Sequence, residues 1–197
     1  MKTFCDCRCC KYSVIIGNTH VCEKMWGYVL DDFLHSKYAK CNRIVFLDVD
    51  GVLNCVSTKE TINGFVGLDE SKIELLSKFI KNWEDTYIVL ISTWIDDKKM
   101  LTHLEDRFKK YDLKIHDYID RKKSRGEAIC DYLQNNQLEN NFYVIFDDEL
   151  FDYKKMNLTK HLVQTGYYGN GLTNKHIKKA DNMFVNFMNK KGGLELL

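Results

Sequence analysis

The sequence predicts an α/β fold built on a mainly parallel sheet. Strands and helices alternate from residue 43 onward, and the strongest strands are unbroken apolar runs. Runs of that kind are typical of parallel strands that helices cover on both faces. The chain has 197 residues, 45% of them hydrophobic, which is enough for one domain with a sizeable core and a small appendage.

Each element follows from a local pattern. The predicted strands are "RIVFLDV" (43–49), "TYIVLIS" (86–92), the short "LKIHDYI" (113–119), "NFYVIFDDE" (141–149) and "HLVQTG" (161–166). The predicted helices, which place apolar residues at helical spacing, are 68–83, 96–111, 124–136 and 173–190. We expect Asp69 to cap the first helix, and Ser124 and Glu127 have the spacing of a capping box at the third.

The composition excludes several classes of protein. With 29 basic and 28 acidic residues the net charge is +1, so no global field draws the chain to nucleic acid or anionic lipid. No apolar run approaches transmembrane length, and the N-terminus lacks the apolar centre of a signal peptide. We therefore expect a cytoplasmic protein without a membrane partner.

Residues 1–41 are predicted to form a Cys-rich arm before the main domain at 42–197. Residues 1–23 look irregular, and 24–40 have the apolar spacing of a helix packed on that domain. A pattern of thiols and imidazole that suits tetrahedral Zn²⁺ is formed by Cys7, Cys10, His20 and Cys22. Unliganded thiols, or cysteines used in disulfides or redox chemistry, are the alternatives to a structural zinc site.

Acidic residues end two of the predicted strands. Asp48 and Asp50 follow "RIVFL", and Asp147 and Asp148 end "NFYVIF". Ligands of open α/β sheets bind outside the carboxyl ends of the strands, so these acids emerge where a ligand would lie. Gly51 follows directly and lets the chain turn sharply and come close to a ligand.

Other polar groups are predicted near the same edge. Ser92 and Thr93 end the strand 86–92, and "DRKKSRGE" supplies Lys122, Lys123 and Arg125 around a helix N-terminus, itself an anion site. Clustered carboxylates repel each other unless a cation neutralises them, and hard oxygen ligands favour Mg²⁺. A carboxylate beside Mg²⁺ can attack phosphorus, so the pattern indicates phosphate chemistry.

The motifs resemble those of haloacid dehalogenase (HAD) superfamily phosphatases. "FLDVDGVLN" resembles motif I, "LIST" motif II, the "KKSRGE" region motif III and "FDDE" motif IV. The sequence is most similar to the HAD domain family of Swiss Army Knife RNA repair proteins, through "DGVLN", "STW", "RGEAI", "FDD", "HLVQTG" and "GLT", over about residues 43–188. The resemblance implies a Rossmann-like, doubly wound sheet. One departure is Ile95, where the family has a basic residue after the motif II tryptophan.

The resemblance implies a role for each acid. Asp48 would be the nucleophile that forms an aspartyl-phosphate, and Asp50 the general acid and base. Mg²⁺ would be held by Asp48, the backbone carbonyl of Asp50, and Asp148 or Asp147.

It also implies how the phosphoryl group is held. Ser92 or Thr93 would hydrogen-bond it, and the cation of motif III would be Arg125, Lys122 or Lys123. The short connections between motifs leave no room for a large cap domain, and an open site suits macromolecular ends or phosphoproteins.

The predicted function is therefore Mg²⁺-dependent hydrolysis of phosphate monoesters, with RNA or DNA ends as candidate substrates. One alternative is a phosphoprotein or small-metabolite phosphatase with the same chemistry. The other is a non-catalytic module whose Cys-rich arm binds nucleic acid or protein.

Overall fold

The computed structural model describes residues 13–16, 19–22, 43–83 and 86–192. The strands are β1 (Ser13–Ile16), β2 (Thr19–Cys22), β3 (Arg43–Leu47), β4 (Thr61–Ile62), β5 (Phe65–Val66), β6 (Thr86–Leu90), β7 (Ile115–Tyr118), β8 (Phe142–Asp147) and β9 (Leu162–Gln164). The α-helices of the described part are α1 (Glu70–Lys81), α2 (Lys98–Lys110), α3 (Arg125–Asn135) and α4 (Asn174–Gly192).

The main sheet has the strand order β7-β6-β3-β8-β9, and every neighbouring pair is parallel. The predicted α/β fold with a mainly parallel sheet is confirmed. The central strand β3 is in register with both neighbours, so that Leu47 lies opposite Leu90 of β6 and Phe146 of β8. The carboxyl ends of the three strands are therefore level, and the residues that follow them meet at one edge.

Helices cover both faces of this sheet because β3 is apolar on both sides. Val45 and Leu47 belong to one core cluster and Ile44 and Phe46 to the other. Side chains of α1, α2 and α4 pack into the first cluster, and those of α3 into the second. Burying each of these large side chains contributes about 1.5–3 kcal/mol to folding.

Local signals set the helix starts. Asp69 caps α1 by accepting a hydrogen bond from Ser71 N (3.0 Å), as predicted. The capping box of Ser124 and Glu127 at the start of α3 is also confirmed. Helix α2 begins two residues later than predicted because Asp97 caps it, after a 3₁₀ turn over Thr93–Asp96.

The hairpin formed by β4 and β5 is a feature beyond the predicted elements. Its turn residues, Asn63 and Gly64, both have positive φ (53° and 81°), as a tight hairpin turn requires. Within the described residues between β3 and α1, this hairpin is the only regular secondary structure. Within residues 43–83 and 86–192 no separate cap domain interrupts the fold.

The prediction that residues 1–23 are irregular is wrong in part. Strands β1 and β2 pair as an antiparallel hairpin, in which Ile15 lies opposite His20. The run "SVII" favours a strand because β-branched residues fit a pleated surface. The predicted helix 24–40 lies outside the described residues, and the division at residue 41 stays a prediction.

None of the helices in the described ranges is both long and apolar enough to cross a bilayer.

Candidate active site

Three carboxylates meet at the carboxyl edge of the sheet. Asp48 follows β3 and is 4% exposed, Asp147 is the last residue of β8 and is fully buried, and Asp148 comes next and is half-buried. One oxygen of each lies within 4.8 Å of the others. The level ends of β3 and β8 bring these acids together, because Asp48 N continues the ladder to the carbonyl oxygen of Phe146 (2.9 Å).

Arg125, on the first turn of α3, pairs with two of the acids. Its Nη1 atom lies 2.6 Å from Asp147 Oδ2 and 3.2 Å from Asp48 Oδ2. The side chain is 8% exposed, and its guanidinium lies over the ring of Phe151, 4.3 Å from the centroid. Buried carboxylates need such a partner, since desolvation of an unpaired charge is costly.

Tyr153 is a member of the site that the sequence analysis did not identify. Its hydroxyl donates a hydrogen bond to Asp147 Oδ2 (2.6 Å), and Glu149 N donates to Asp147 Oδ1 (3.0 Å). Burial and the nearby Asp147 raise the pKa of Tyr153, so the phenol keeps its proton and remains a donor. Asp147 is thus fixed by donors on both oxygens.

The site carries more negative charge than its cation balances. Burial, with a further contribution from Asp147, raises the pKa of Asp48 to about 7 although Arg125 opposes the shift. Burial, Asp147 and Glu149 likewise raise the pKa of Asp148. Among the residues that the structure describes, three carboxylates face one guanidinium, and their hard oxygen atoms are the ligands that Mg²⁺ prefers. The residues present therefore fit a divalent cation, which would hold the acids in their ionised forms.

Asp50 is held in a different way. Asn54 Nδ2 donates to its Oδ1 (2.8 Å) and the Trp94 indole N–H donates to its Oδ2 (3.1 Å). Asn54 is itself oriented by Gly51 N, which donates to Asn54 Oδ1 (3.0 Å). The side chain of Asp50 does not belong to the three-carboxylate group. The predicted use of its backbone carbonyl as a metal ligand stays a prediction.

Asn54 and Trp94 belong to the motifs "DGVLN" and "STW", which by themselves assign them no role. Their positions in the sequence could have indicated a role in the site, because each comes shortly after the acids or hydroxyls that end a strand. Their N–H groups hold the Asp50 carboxylate in one orientation, whereas a carboxylate without such donors would rotate freely.

Gly51 permits the close approach between the first and last motifs. It has φ +71°, and a Cβ atom placed there would lie 2.4 Å from Asp148 Oδ2. Gly51 therefore has a left-handed backbone conformation, and Asp148 occupies the space that a side chain at this position would need. The predicted need for glycine arises from this protein contact as well as from the turn.

The two hydroxyl residues that end the second strand have different surroundings. Ser92 is fully buried; its hydroxyl is close enough to Asp48 to lower the pKa of that acid slightly, and its oxygen accepts weakly from Trp94 N (3.4 Å). Thr93 is exposed and lines a cleft next to Asp50. Ser92 thus contacts the candidate nucleophile, and Thr93 lies where a substrate would enter.

Of the three candidate cations, only Arg125 contacts the acids. Lys123, which precedes α3, forms an ion pair with Asp131 of that helix, and Lys122 is exposed. The sequence could not choose among them because the position at which the helix begins decides which side chain faces the sheet edge, and Lys122 and Lys123 precede that position.

The N-terminus of α3, which was expected to be an anion site, is occupied by an anionic side chain of the protein itself. The carboxylate of Asp152 accepts hydrogen bonds from Gly126 N (2.8 Å), Glu127 N (3.3 Å) and the Ser124 hydroxyl. A Cβ at Gly126 would lie 2.8 Å from both carboxylate oxygens of Asp152. The amides that would bind phosphate are thus occupied by a side chain of the protein itself.

The candidate zinc ligands do not join this site. His20 and Cys22 belong to β2, and Cys7 and Cys10 lie outside the described residues. The zinc site stays a prediction.

The parallel sheet has acids at the carboxyl ends of its central strand β3 and of β8, which lies beside β3 in the sheet. This arrangement is typical of HAD-like phosphohydrolase folds. The chain belongs to the family described as the HAD domain in Swiss Army Knife RNA repair proteins, whose model matches residues 44–177. This confirms the family predicted from the motifs. Comparison with curated proteins and with solved structures finds no match.

Proposed function

We propose that the protein is a Mg²⁺-dependent phosphatase that cleaves phosphate monoesters through an aspartyl-phosphate on Asp48. The observation that carries the proposal is the contrast between two acids that are two residues apart. Asp48 is buried against Arg125 and the other acids, whereas Asp50 is held by neutral donors at the wall of an open cleft. Two carboxylates in separate environments suit two roles, a nucleophile and a proton donor.

In the first step, an oxygen of Asp48 attacks phosphorus and the bond from phosphorus to the leaving oxygen breaks. Asp50 gives its proton to that oxygen, so that the leaving group departs as a neutral alcohol. Asp50 lies on the cleft side of the site, where the leaving group has room.

In the second step, the Asp50 carboxylate takes a proton from water, and the water oxygen attacks phosphorus. The bond between phosphorus and Asp48 breaks, which releases inorganic phosphate and restores both acids. Asn54 and Trp94 keep Asp50 in one orientation for both proton transfers.

Charge on the phosphoryl group has to be balanced throughout. Arg125 lies within reach of Asp48, and Ser92 or Thr93 would donate a hydrogen bond to a phosphoryl oxygen. Mg²⁺ would be held by Asp48, Asp147 or Asp148 and the Asp50 carbonyl, and when bound it supplies neutralisation of the phosphoryl oxygens. Asp147, already bonded to Arg125 and Tyr153, has fewer free lone pairs than Asp148.

The open site and the family support phosphorylated nucleic-acid ends as substrates. The test is phosphate release in Mg²⁺ from p-nitrophenyl phosphate and from oligonucleotides with 3′- or 5′-phosphates. Asp48→Asn should reduce the rate roughly 10³-fold or more, because an amide cannot form the acyl-phosphate.

A matched control is Asp112→Asn, an equal change at a carboxylate that is 82% exposed and pairs with Lys81. That variant should retain the wild-type rate. Equal rates in Asp48→Asn and wild type would refute the proposal, and no phosphate release by wild type from any ester would favour the non-catalytic module.

A further inference from the structure

A cleft of about 490 Å³ opens beside Asp50. One wall is the β4–β5 hairpin, which contributes Phe65, and the others come from Met100 near the start of α2 and Tyr167 in the loop after β9. If Asp50 gives its proton to the leaving oxygen, the group attached to that oxygen lies in this cleft. The inference below thus rests on the proposed function for the direction of the reaction.

The cleft and its rim expose aromatic rings to solvent. Phe65 is 62% exposed, and Tyr168, which packs edge-on against Tyr167 at 5.4 Å, is 89% exposed. Val56, 55% exposed, is adjacent to Tyr167, because its backbone N–H donates to the Tyr167 carbonyl (2.9 Å). Large apolar side chains that gather in the open around a cleft indicate a binding surface.

The charge of the cleft selects against a leaving oxygen that belongs to a second phosphate. Its lining includes the carboxylates of Asp50 and Asp97 and, among the described residues, neither lysine nor arginine. Asp97 caps α2 by accepting hydrogen bonds from Lys99 N and Met100 N, which lower its pKa, so this carboxylate stays ionised. The second phosphate of a phosphoanhydride would meet two acids, whereas the sugar hydroxyls of a nucleoside would find acceptors.

The wall formed by the hairpin is already fixed. Asn63 at its turn donates to Asp97 Oδ2 (3.4 Å). At its base the carboxylate of Glu60 accepts from Leu68 N (2.7 Å) and pairs with Arg107 and with His103 (3.0 Å). These contacts order the hairpin before a ligand binds, so binding loses little conformational entropy in this wall.

We propose that this cleft binds a single nucleoside, with its base against Phe65 and Tyr167 and its sugar hydroxyls toward Thr93 and Asp97. Aromatic rings offer stacking surfaces for a base, and hydroxyl and carboxylate oxygens accept from a ribose. The proposal distinguishes a phosphate ester on a nucleoside hydroxyl from a phosphoanhydride, whose leaving group would itself be an anion.

The first test compares kcat/KM for 3′- and 5′-nucleoside monophosphates with kcat/KM for glycerol phosphate, which lacks the base. In Phe65→Ala and in Tyr167→Ala the ratio of nucleotide to glycerol phosphate kcat/KM should fall about 10-fold, because each variant loses a ring on which the base stacks. Tyr118→Ala removes an exposed aromatic ring on β7, outside the cleft, and should leave the ratio unchanged. A ratio that stays constant in both cleft variants would overturn the proposal.

Two further substrates test the identity of the leaving group. A nucleoside diphosphate should be cleaved at least about 10-fold less efficiently than the monophosphate, since the leaving phosphate meets Asp50 and Asp97. A phosphotyrosine peptide with a higher kcat/KM than every nucleoside monophosphate would contradict the nucleoside assignment.

A binding measurement separates this proposal from the catalytic one. Adenosine, a product without phosphate, should bind the wild-type protein in calorimetry, and Phe65→Ala should weaken binding about 10-fold. Lack of adenosine binding would overturn the cleft proposal even if the protein hydrolyses phosphate esters. Binding without any hydrolysis would leave the cleft proposal supported and refute the proposed function.

Discussion

Replacing Gly51 by alanine should damage both stability and the response to Mg²⁺. The residue has φ +71°, a conformation that costs a residue with a Cβ about 1–2 kcal/mol. The new Cβ would also lie 2.4 Å from Asp148 Oδ2 and 2.5 Å from Asp148 Cβ. The second contact involves the root of the side chain, so rotating the carboxylate away cannot relieve it.

The size of the effect follows from these two contributions. The backbone strain of about 1–2 kcal/mol adds to about 1–3 kcal/mol for an overpacked contact. We therefore expect the free energy of unfolding to fall by about 2–5 kcal/mol. Asp148 has to move from the other acids, so added Mg²⁺ should stabilise the variant less than it stabilises wild type.

Gly64→Ala is the matched control. Gly64 has φ +81°, yet a Cβ there would have nothing within 4 Å, so only the backbone strain applies. Chemical denaturation of wild type and both variants, with and without Mg²⁺, measures the difference. Equal losses of stability, with equal gains from Mg²⁺, in the two variants would refute the assigned contact between Gly51 and Asp148.

Three other changes test single interactions of the fold and the site. Trp94→Phe removes the N–H that Asp50 accepts and should lower kcat about 10-fold while the fold persists, measured by initial rates and circular dichroism; an unchanged kcat would contradict the positioning role. Tyr153→Phe leaves Asp147 without its buried hydroxyl donor and should cost about 1–3 kcal/mol in urea unfolding; no loss would contradict the importance of that bond. Burial lowers the pKa of His161 to about 4, so as the pH falls the unfolded chain binds a proton at this histidine before the folded protein does. The free energy of unfolding should therefore fall between pH 6.5 and pH 4, by about 1–2 kcal/mol after solvent screening. His161→Phe should remove this part of the acid sensitivity, and an identical pH profile would contradict it.

The sequence predicts the parts of the fold that local patterns encode. The alternating strands and helices, the Asp69 cap and the capping box at Ser124 depend on residues a few positions apart. The β4–β5 hairpin also had a local signal, Asn63 followed by Gly64, which the sequence analysis did not use.

The parts that the sequence does not predict depend on contacts between distant segments. Asp152 caps α3 from a loop 26 residues beyond Gly126, and nothing in its own surroundings indicates that role. Trp94 reaches Asp50 across 44 positions. Tyr153 is only six residues from Asp147, but it belongs to no motif, and the irregular path of the chain after β8 brings its hydroxyl to that acid.

The central claim, a covalent phosphate on Asp48, can be tested by trapping it in Asp50→Asn. Without Asp50 to activate water, an aryl phosphate, whose leaving group needs little protonation, should still phosphorylate Asp48 while hydrolysis slows. Acid quenching after incubation with a ³²P-labelled aryl phosphate and Mg²⁺ should then give a hydroxylamine-labile label on the peptide containing Asp48, and none in Asp48→Asn. Label on Ser92 or another residue, or no label in Asp50→Asn while wild type releases phosphate, would contradict the mechanism.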